Sequence, residues 1–144
     1  NSRGKNAIEI AKLFGEYEMV RYFSSMGQTM YQTMIEKVLP KGTQVSAIKM
    51  NEAGYVLYQQ NRYKESLPYF KAAKEMDPTY EYANYNYTCV LALLYGQGEK
   101  IDINEIAEGL RRSLKLDPNK KAHMRNDTDL NAVRNLPEIQ SILQ

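Results

Sequence analysis

The chain has 144 residues, enough for one ordinary domain or for a short array of repeats. Hydrophobic residues make up 43% of it and charged residues 25%, which is typical of a globular protein and excludes a disordered one. The net charge of +2 is too small to indicate a nucleic-acid partner, the single cysteine excludes an internal disulfide, and no apolar run is long enough to predict a membrane span. This composition suits any compartment and any oligomeric state.

Residues 1–27 are predicted to form two short helices. A turn at Gly4 precedes the first helix, Gly15 separates it from the second, and Gly27 ends the pair. This layout resembles one ankyrin repeat, with Asn6-Ala7 in place of the usual threonine-proline pair and Glu9 in place of the usual histidine. The alternative is a degenerate form of the tetratricopeptide-like hairpin that follows.

A bridging helix and linker are predicted over residues 28–43. Gln28–Leu39 is amphipathic and ends before Pro40. Since one ankyrin repeat cannot bury its own face, either this helix covers it or further ankyrin repeats precede Asn1. Because Asn1 lies near the start of the repeat register, we expect the chain to be cut from a longer ankyrin array.

Residues 51–80 contain two amphipathic helices separated by Asn61-Arg62 and ended by Asp77-Pro78. Pro68 removes one backbone donor near the first turn of the second helix. Small and apolar residues recur at intervals of three and four along both helices, as on one helical face. These residues are Met50, Ala53, Gly54, Leu57, Leu67, Phe70 and Ala73.

This pattern resembles a tetratricopeptide repeat, a 34-residue helix pair. With Pro78 at place 32, the positions preferred by the repeat are matched by Gly54, Tyr63, Phe70 and Ala73. Met50 replaces the usual tryptophan, and Ser66 replaces a usual alanine. The resemblance implies an all-α fold, an α-solenoid of stacked helix–turn–helix pairs over residues 44–144.

A second, weaker unit runs from Tyr85 to Asn119 and ends at Asp117-Pro118. Its first helix is expected at about Glu81–Tyr95, with the turn in Gly96–Asp102. Asp102 and Glu105 have the spacing of a capping box at the start of the second helix. The packing positions fall on Asn84, Tyr87, Thr88 and Leu91 in the first helix and on Ile106, Leu110 and Ser113 in the second.

The segment Asn126–Leu143 resembles a terminal element that often closes such arrays in bacterial proteins. It is expected to cap the array with two short helices that cover the last apolar face. Asp127 or Asp129 would cap one helix, and Pro137 would lie in the first turn of the next. The other matching residues are Leu130, Arg134, Ile139 and Leu143.

In tetratricopeptide arrays, the first helix of each pair lines a concave groove that binds peptides. The groove positions on which the partner-binding hypothesis depends are Asn51, Tyr55, Tyr58, Tyr82, Tyr85, Asn86 and Cys89. Tyrosine suits such a surface because its ring gives rigid contact area while its hydroxyl reaches water. The alternative is that these tyrosines pack against the ankyrin-like segment or the terminal cap.

No catalytic, cofactor or metal site is predicted. His123 is expected on the surface, Cys89 is expected inside a helix without a histidine nearby in sequence, and Asp127 with Asp129 lacks the glycine and distant glutamate of a calcium loop. We therefore expect a non-enzymatic interaction scaffold that binds a protein, peptide or helix. The alternative is a structural or regulatory spacer or cap within a larger protein.

Overall fold

The computed structural model describes residues 46–144. About three quarters of these residues are helical (77%), and no strand occurs among them. The all-α prediction is therefore confirmed for this part of the chain. The ankyrin-like repeat of 1–27 and the bridging segment of 28–43 lie outside the described residues. Between residues 46 and 144, no helix has the length and hydropathy that crossing a membrane requires.

Six α-helices account for most of this part of the chain. They are α1 (Ala47–Gln59), α2 (Tyr63–Met76), α3 (Glu81–Gly96), α4 (Ile103–Leu116), α5 (Lys121–Asn126) and α6 (Pro137–Leu143). Short 3-10 helices cover Pro118–Lys120 and Thr128–Leu130. The chain divides after Pro78, so that α1 and α2 belong to an N-terminal unit and α3 to α6 to a C-terminal unit. This boundary coincides with the first predicted Asp-Pro pair.

The N-terminal unit contains a tight helical hairpin. Gly54 of α1 lies against Phe70 of α2 so closely that a Cβ atom at position 54 would be 2.9 Å from the aromatic ring. Phe70 and Ala73 are fully buried. The predicted contact between the two helices is confirmed for Gly54 and Phe70, and Ala73 is buried as predicted. The contact depends on glycine because any larger residue would push the two backbones apart.

Helix α1 ends at the predicted break. Asn61 has a left-handed φ of 61°, and the Arg62 N–H donates to the Leu57 carbonyl. With the bond from the Asn61 N–H to the Tyr58 carbonyl, this forms a Schellman motif. Asparagine tolerates the left-handed conformation better than most residues, so the local sequence supports the turn.

In the C-terminal unit, α3 and α4 cross at Thr88 and Gly109. A Cβ atom at position 109 would lie 2.0 Å from the Thr88 hydroxyl oxygen. Thr88 was predicted to lie on the packing side of α3, and its side chain is buried. The role of Gly109 was not predicted. A glycine in the middle of a helix costs helical stability, and here the close approach to Thr88 explains its presence.

The turn between α3 and α4 is made as predicted by a glycine and a capping aspartate. Gly98 has a φ of 88°, and Asp102 is the N-cap of α4, accepting a bond from the Asn104 N–H at 2.9 Å. The side chain of Glu105 has a different hydrogen-bond partner from the one that a capping box would give it. It accepts a hydrogen bond from the Tyr87 hydroxyl at 2.9 Å, so that it ties α4 to α3.

The segment after Pro118, here called the cap, packs on the α3–α4 pair, as was expected of Asn126–Leu143. Asp127 is the N-cap of the second 3-10 helix, and Pro137 lies in the first turn of α6. The buried residues of this segment are Met124, Leu130, Val133, Ile139, Ile142 and Leu143. Helix α6 contacts α4, and the second 3-10 helix contacts α3. The cap therefore covers an apolar face of the α3–α4 pair.

Two buried serines stand where the tetratricopeptide resemblance expects alanine, and they differ in hydrogen bonding. The Ser66 hydroxyl donates to the Tyr63 carbonyl at 2.7 Å, whereas the Ser113 hydroxyl is buried and has no partner among residues 46–144. Because an unsatisfied buried hydroxyl is costly and alanine favours helix, we expect Ser113→Ala to raise the free energy of unfolding by about 1 kcal/mol. Denaturant titration of the full chain measures this change.

The matched control is Ser66→Ala, which removes a hydroxyl that has a partner. We expect this variant to gain no stability, because the lost hydrogen bond offsets the better helix propensity. Equal gains from both variants would mean that helix propensity alone is responsible and that the Ser113 hydroxyl carries no penalty.

Candidate functional site

The structure separates the residues of the partner-binding hypothesis by their exposure. Tyr55 (44% exposed) and Tyr82 (63%) point outward. Two others, Tyr58 and Asn86, are half-buried. The remaining three are buried: Asn51, Tyr85 and Cys89. Their role in binding a partner stays a prediction, and only the outward-pointing members present their side chains directly to the surface.

On α1, the exposed members form one side of the helix. Ile48, Glu52, Tyr55 and Gln59 follow one another at intervals of three and four, and all four are exposed. The ring of Tyr58 stacks on that of Tyr55, with centroids 5.6 Å apart. We call these five residues the outer face of α1. It lies opposite the side that packs on α2, because α1 must bury its apolar residues against its partner helix.

In the C-terminal unit, Tyr82 belongs to a group of aromatic and charged side chains at the start of α3. The Lys120 ammonium lies 5.1 Å from the centroid of the Tyr82 ring and 4.5 Å from that of Tyr85. The same ammonium forms an ion pair with Glu81 at 2.9 Å, and both side chains of that pair are mostly buried. Lys120 therefore joins the start of α3 to the 3-10 helix after α4.

Tyr85 is the centre of a second contact between α3 and the cap. Its hydroxyl donates to Asp127 Oδ2 at 2.6 Å, and its ring meets that of His123 edge-on at 5.7 Å. Burial, with the nearby Cys89 and Asp127, raises the pKa of Tyr85 far above its ordinary range. The hydroxyl therefore remains a donor. Here the structure favours the alternative interpretation, in which a predicted groove tyrosine packs against the terminal cap.

The Asp127 carboxylate connects several groups that are far apart in sequence. Cys89 Sγ lies 4.0 Å from Oδ2 and His123 Nε2 lies 3.2 Å from it, while Oδ1 accepts a bond from the Asp129 N–H at 3.0 Å. The prediction that His123 is exposed is confirmed, since 61% of its side chain is accessible. Although His123 and Cys89 are far apart in sequence, both side chains lie beside the same oxygen of Asp127.

Cys89, Asp127 and Asp129 together have donor atoms within 4.8 Å of one another, a spacing compatible with a metal ion. Both carboxylate oxygens of Asp127 are already hydrogen-bonded, one to a tyrosine hydroxyl and one to a backbone N–H. Burial, followed by the charge of Asp127, raises the pKa of the Cys89 thiol. A protonated thiol is a poor nucleophile. The geometry is explained by capping and packing.

The comparisons with known proteins provide no relative from which a role could be transferred. No protein-family model, curated protein or solved structure matches this chain. The tetratricopeptide and ankyrin interpretations therefore stay resemblances based on the residues quoted above.

Proposed function

We propose that the chain is a non-catalytic interaction module, an α-solenoid of tetratricopeptide-like pairs that binds a peptide or helix of another protein. The observation that carries this proposal is the outer face of α1, where Ile48 is 55% exposed and Tyr55 is 44% exposed. These two side chains lie seven residues apart, so they are two helical turns apart on one side of the helix. Large exposed apolar side chains grouped in this way are typical of interaction surfaces.

The chemistry of the outer face fits a partner with an apolar stripe. Tyr55 and Tyr58 form a stacked pair, which gives a broad and rigid apolar surface at low conformational cost. Glu52 and Gln59 supply polar groups beside it. An amphipathic helix or an extended peptide with spaced apolar residues would bury the rings and leave these polar groups at the rim.

The test is selection of peptides from a random displayed library on the wild-type chain, followed by affinity measurement with variants. We expect the double variant Ile48→Ser/Tyr55→Ala to bind the selected peptides at least about tenfold more weakly, because it removes two contacts of about 1 kcal/mol or more each. Circular dichroism checks that the helix content is unchanged, since both side chains are exposed.

The matched control is Tyr95→Ala, which makes the same chemical change at the end of α3, in the C-terminal unit. We expect it to leave the affinity unchanged. Failure to select any peptide, or equal affinity of wild type and double variant, would contradict the outer face as a binding surface. Failure to select any peptide would favour the alternative function, a structural or regulatory spacer or cap domain.

A further inference from the structure

The cap of the C-terminal unit contains an open pocket of about 280 Å³. Its walls come from α5, from the turn before α6 and from α6 itself. The lining residues are Arg125, Arg134, Asn135, Gln140, Leu143 and Gln144. Two of the six are arginines and none is an aspartate or glutamate, so the side chains of the wall are positive overall.

No aspartate or glutamate side chain pairs with either guanidinium group within the described residues. Arg125 Nε donates to the main-chain carbonyl of Leu143 at 2.5 Å. The two terminal nitrogens of Arg134 donate to the Asn131 side-chain oxygen and to the main-chain carbonyl of Asp127. All these acceptors are uncharged oxygens. The Nε of Arg134 is buried without a partner, and neither arginine forms an ion pair between residues 46 and 144.

Two main-chain oxygens at the end of α6 accept hydrogen bonds from basic side chains. Lys121 Nζ donates to the Gln144 main-chain oxygen at 2.8 Å, and the Leu143 oxygen already accepts the bond from Arg125 Nε. The two terminal nitrogens of Arg125 have no partner in the described part of the chain. These two N–H groups form the planar fork that matches a carboxylate.

We propose that this pocket binds the carboxylate of an acidic side chain on the partner peptide. The proposal rests on the proposed function and names the chemistry of a separate contact, which lies entirely within the C-terminal unit. A carboxylate would receive the fork of Arg125 and would place negative charge near the guanidinium of Arg134, which lines the same pocket. The side-chain amides of Asn135 and Gln140 add donors at the wall. The volume lies at the lower limit of ligand pockets, so it suits one side chain and not a larger cofactor.

The test is a nitrogen-15 NMR titration of the full chain with the blocked tripeptide acetyl-Ala-Glu-Ala-amide. We expect shifts in the arginine side-chain signals of Arg125 and Arg134 and in the backbone of α6. The corresponding Gln tripeptide is expected to bind at least about tenfold more weakly. The variant Arg125→Gln should weaken binding of the Glu tripeptide by a similar factor. Arg111→Gln, which makes the same change on the exposed side of α4, should not.

Equal binding of the Glu and Gln tripeptides, or no shift around the pocket, would overturn the proposal. A response to inorganic phosphate without one to the Glu tripeptide would also overturn it, because the pocket would then select a tetrahedral anion. The Ile48→Ser/Tyr55→Ala variant should bind the tripeptide like wild type. If the Glu tripeptide does not bind but the library-selected peptides still bind at α1, the proposal for the pocket is therefore rejected. The proposed function is left intact by that result.

Discussion

Replacing Asp127 by alanine is expected to lower the free energy of unfolding of the C-terminal unit by about 3 kcal/mol. The substitution removes the N-cap bond to the Asp129 N–H, worth about 1 kcal/mol. It also removes the charged acceptor of the Tyr85 hydroxyl, worth about 1.5–3 kcal/mol because that hydroxyl belongs to a buried side chain. Denaturant unfolding measures the total, and hydrogen exchange in peptides from α3 and α6 locates the loss.

Two control variants divide this effect. Asp102→Ala removes an aspartate whose side chain caps α4, so it should cost about 1 kcal/mol. Tyr85→Phe keeps the ring against His123 and removes only the hydroxyl, so most of its cost should disappear when Asp127 is already alanine. A loss in Asp127→Ala no larger than in Asp102→Ala would show that the link from α3 to the cap contributes nothing to stability.

The variant Gly109→Ala should be destabilised by about 2 kcal/mol, although alanine forms helix better than glycine does by about 1 kcal/mol. The reason is the approach of α3, where the new methyl group would lie 2.0 Å from the Thr88 hydroxyl oxygen. The two helices would have to separate and lose packing along their contact. Thermal and denaturant unfolding of the full chain measure the change.

The clash predicts partial rescue by a second substitution. Thr88→Ala removes the hydroxyl and methyl groups nearest to position 109, so the double variant should lose less stability than the sum of the two single variants. Glu108→Ala is the matched control, because it also introduces an alanine into α4, but on the exposed side of the helix. If the Gly109→Ala variant is as stable as wild type, α3 and α4 do not approach each other as closely as described above.

Several boundaries of the fold were predictable from the sequence because their causes are local. The break at Asn61-Arg62 separates α1 from α2, and Asp77 is the C-cap of α2 before Pro78. Pro68 is tolerated inside α2 in its second turn, close to where it was expected. Left-handed asparagine, proline and capping aspartate act on their immediate neighbours, so each can be identified without knowing what packs on the helix.

The candidate site was less predictable, because periodicity shows which side of a helix a residue occupies but not what covers that side. Tyr55 and Tyr85 were both predicted to line the groove, yet Tyr55 is exposed and Tyr85 is buried. The difference is that Asp127, 42 positions after Tyr85, accepts its hydrogen bond. No signal near Tyr85 indicated that acceptor.

The sequence by itself determined that residues 46–144 form paired helices, where several of these helices end, and that a further helical segment follows the second pair. Tertiary structure alone decided which side chains stay exposed, why position 109 must be glycine, and that two arginines meet at one pocket. The physical reason is the range of the forces involved. Caps and turns act over three or four residues, whereas burial and charge pairing depend on atoms that only the folded chain brings together.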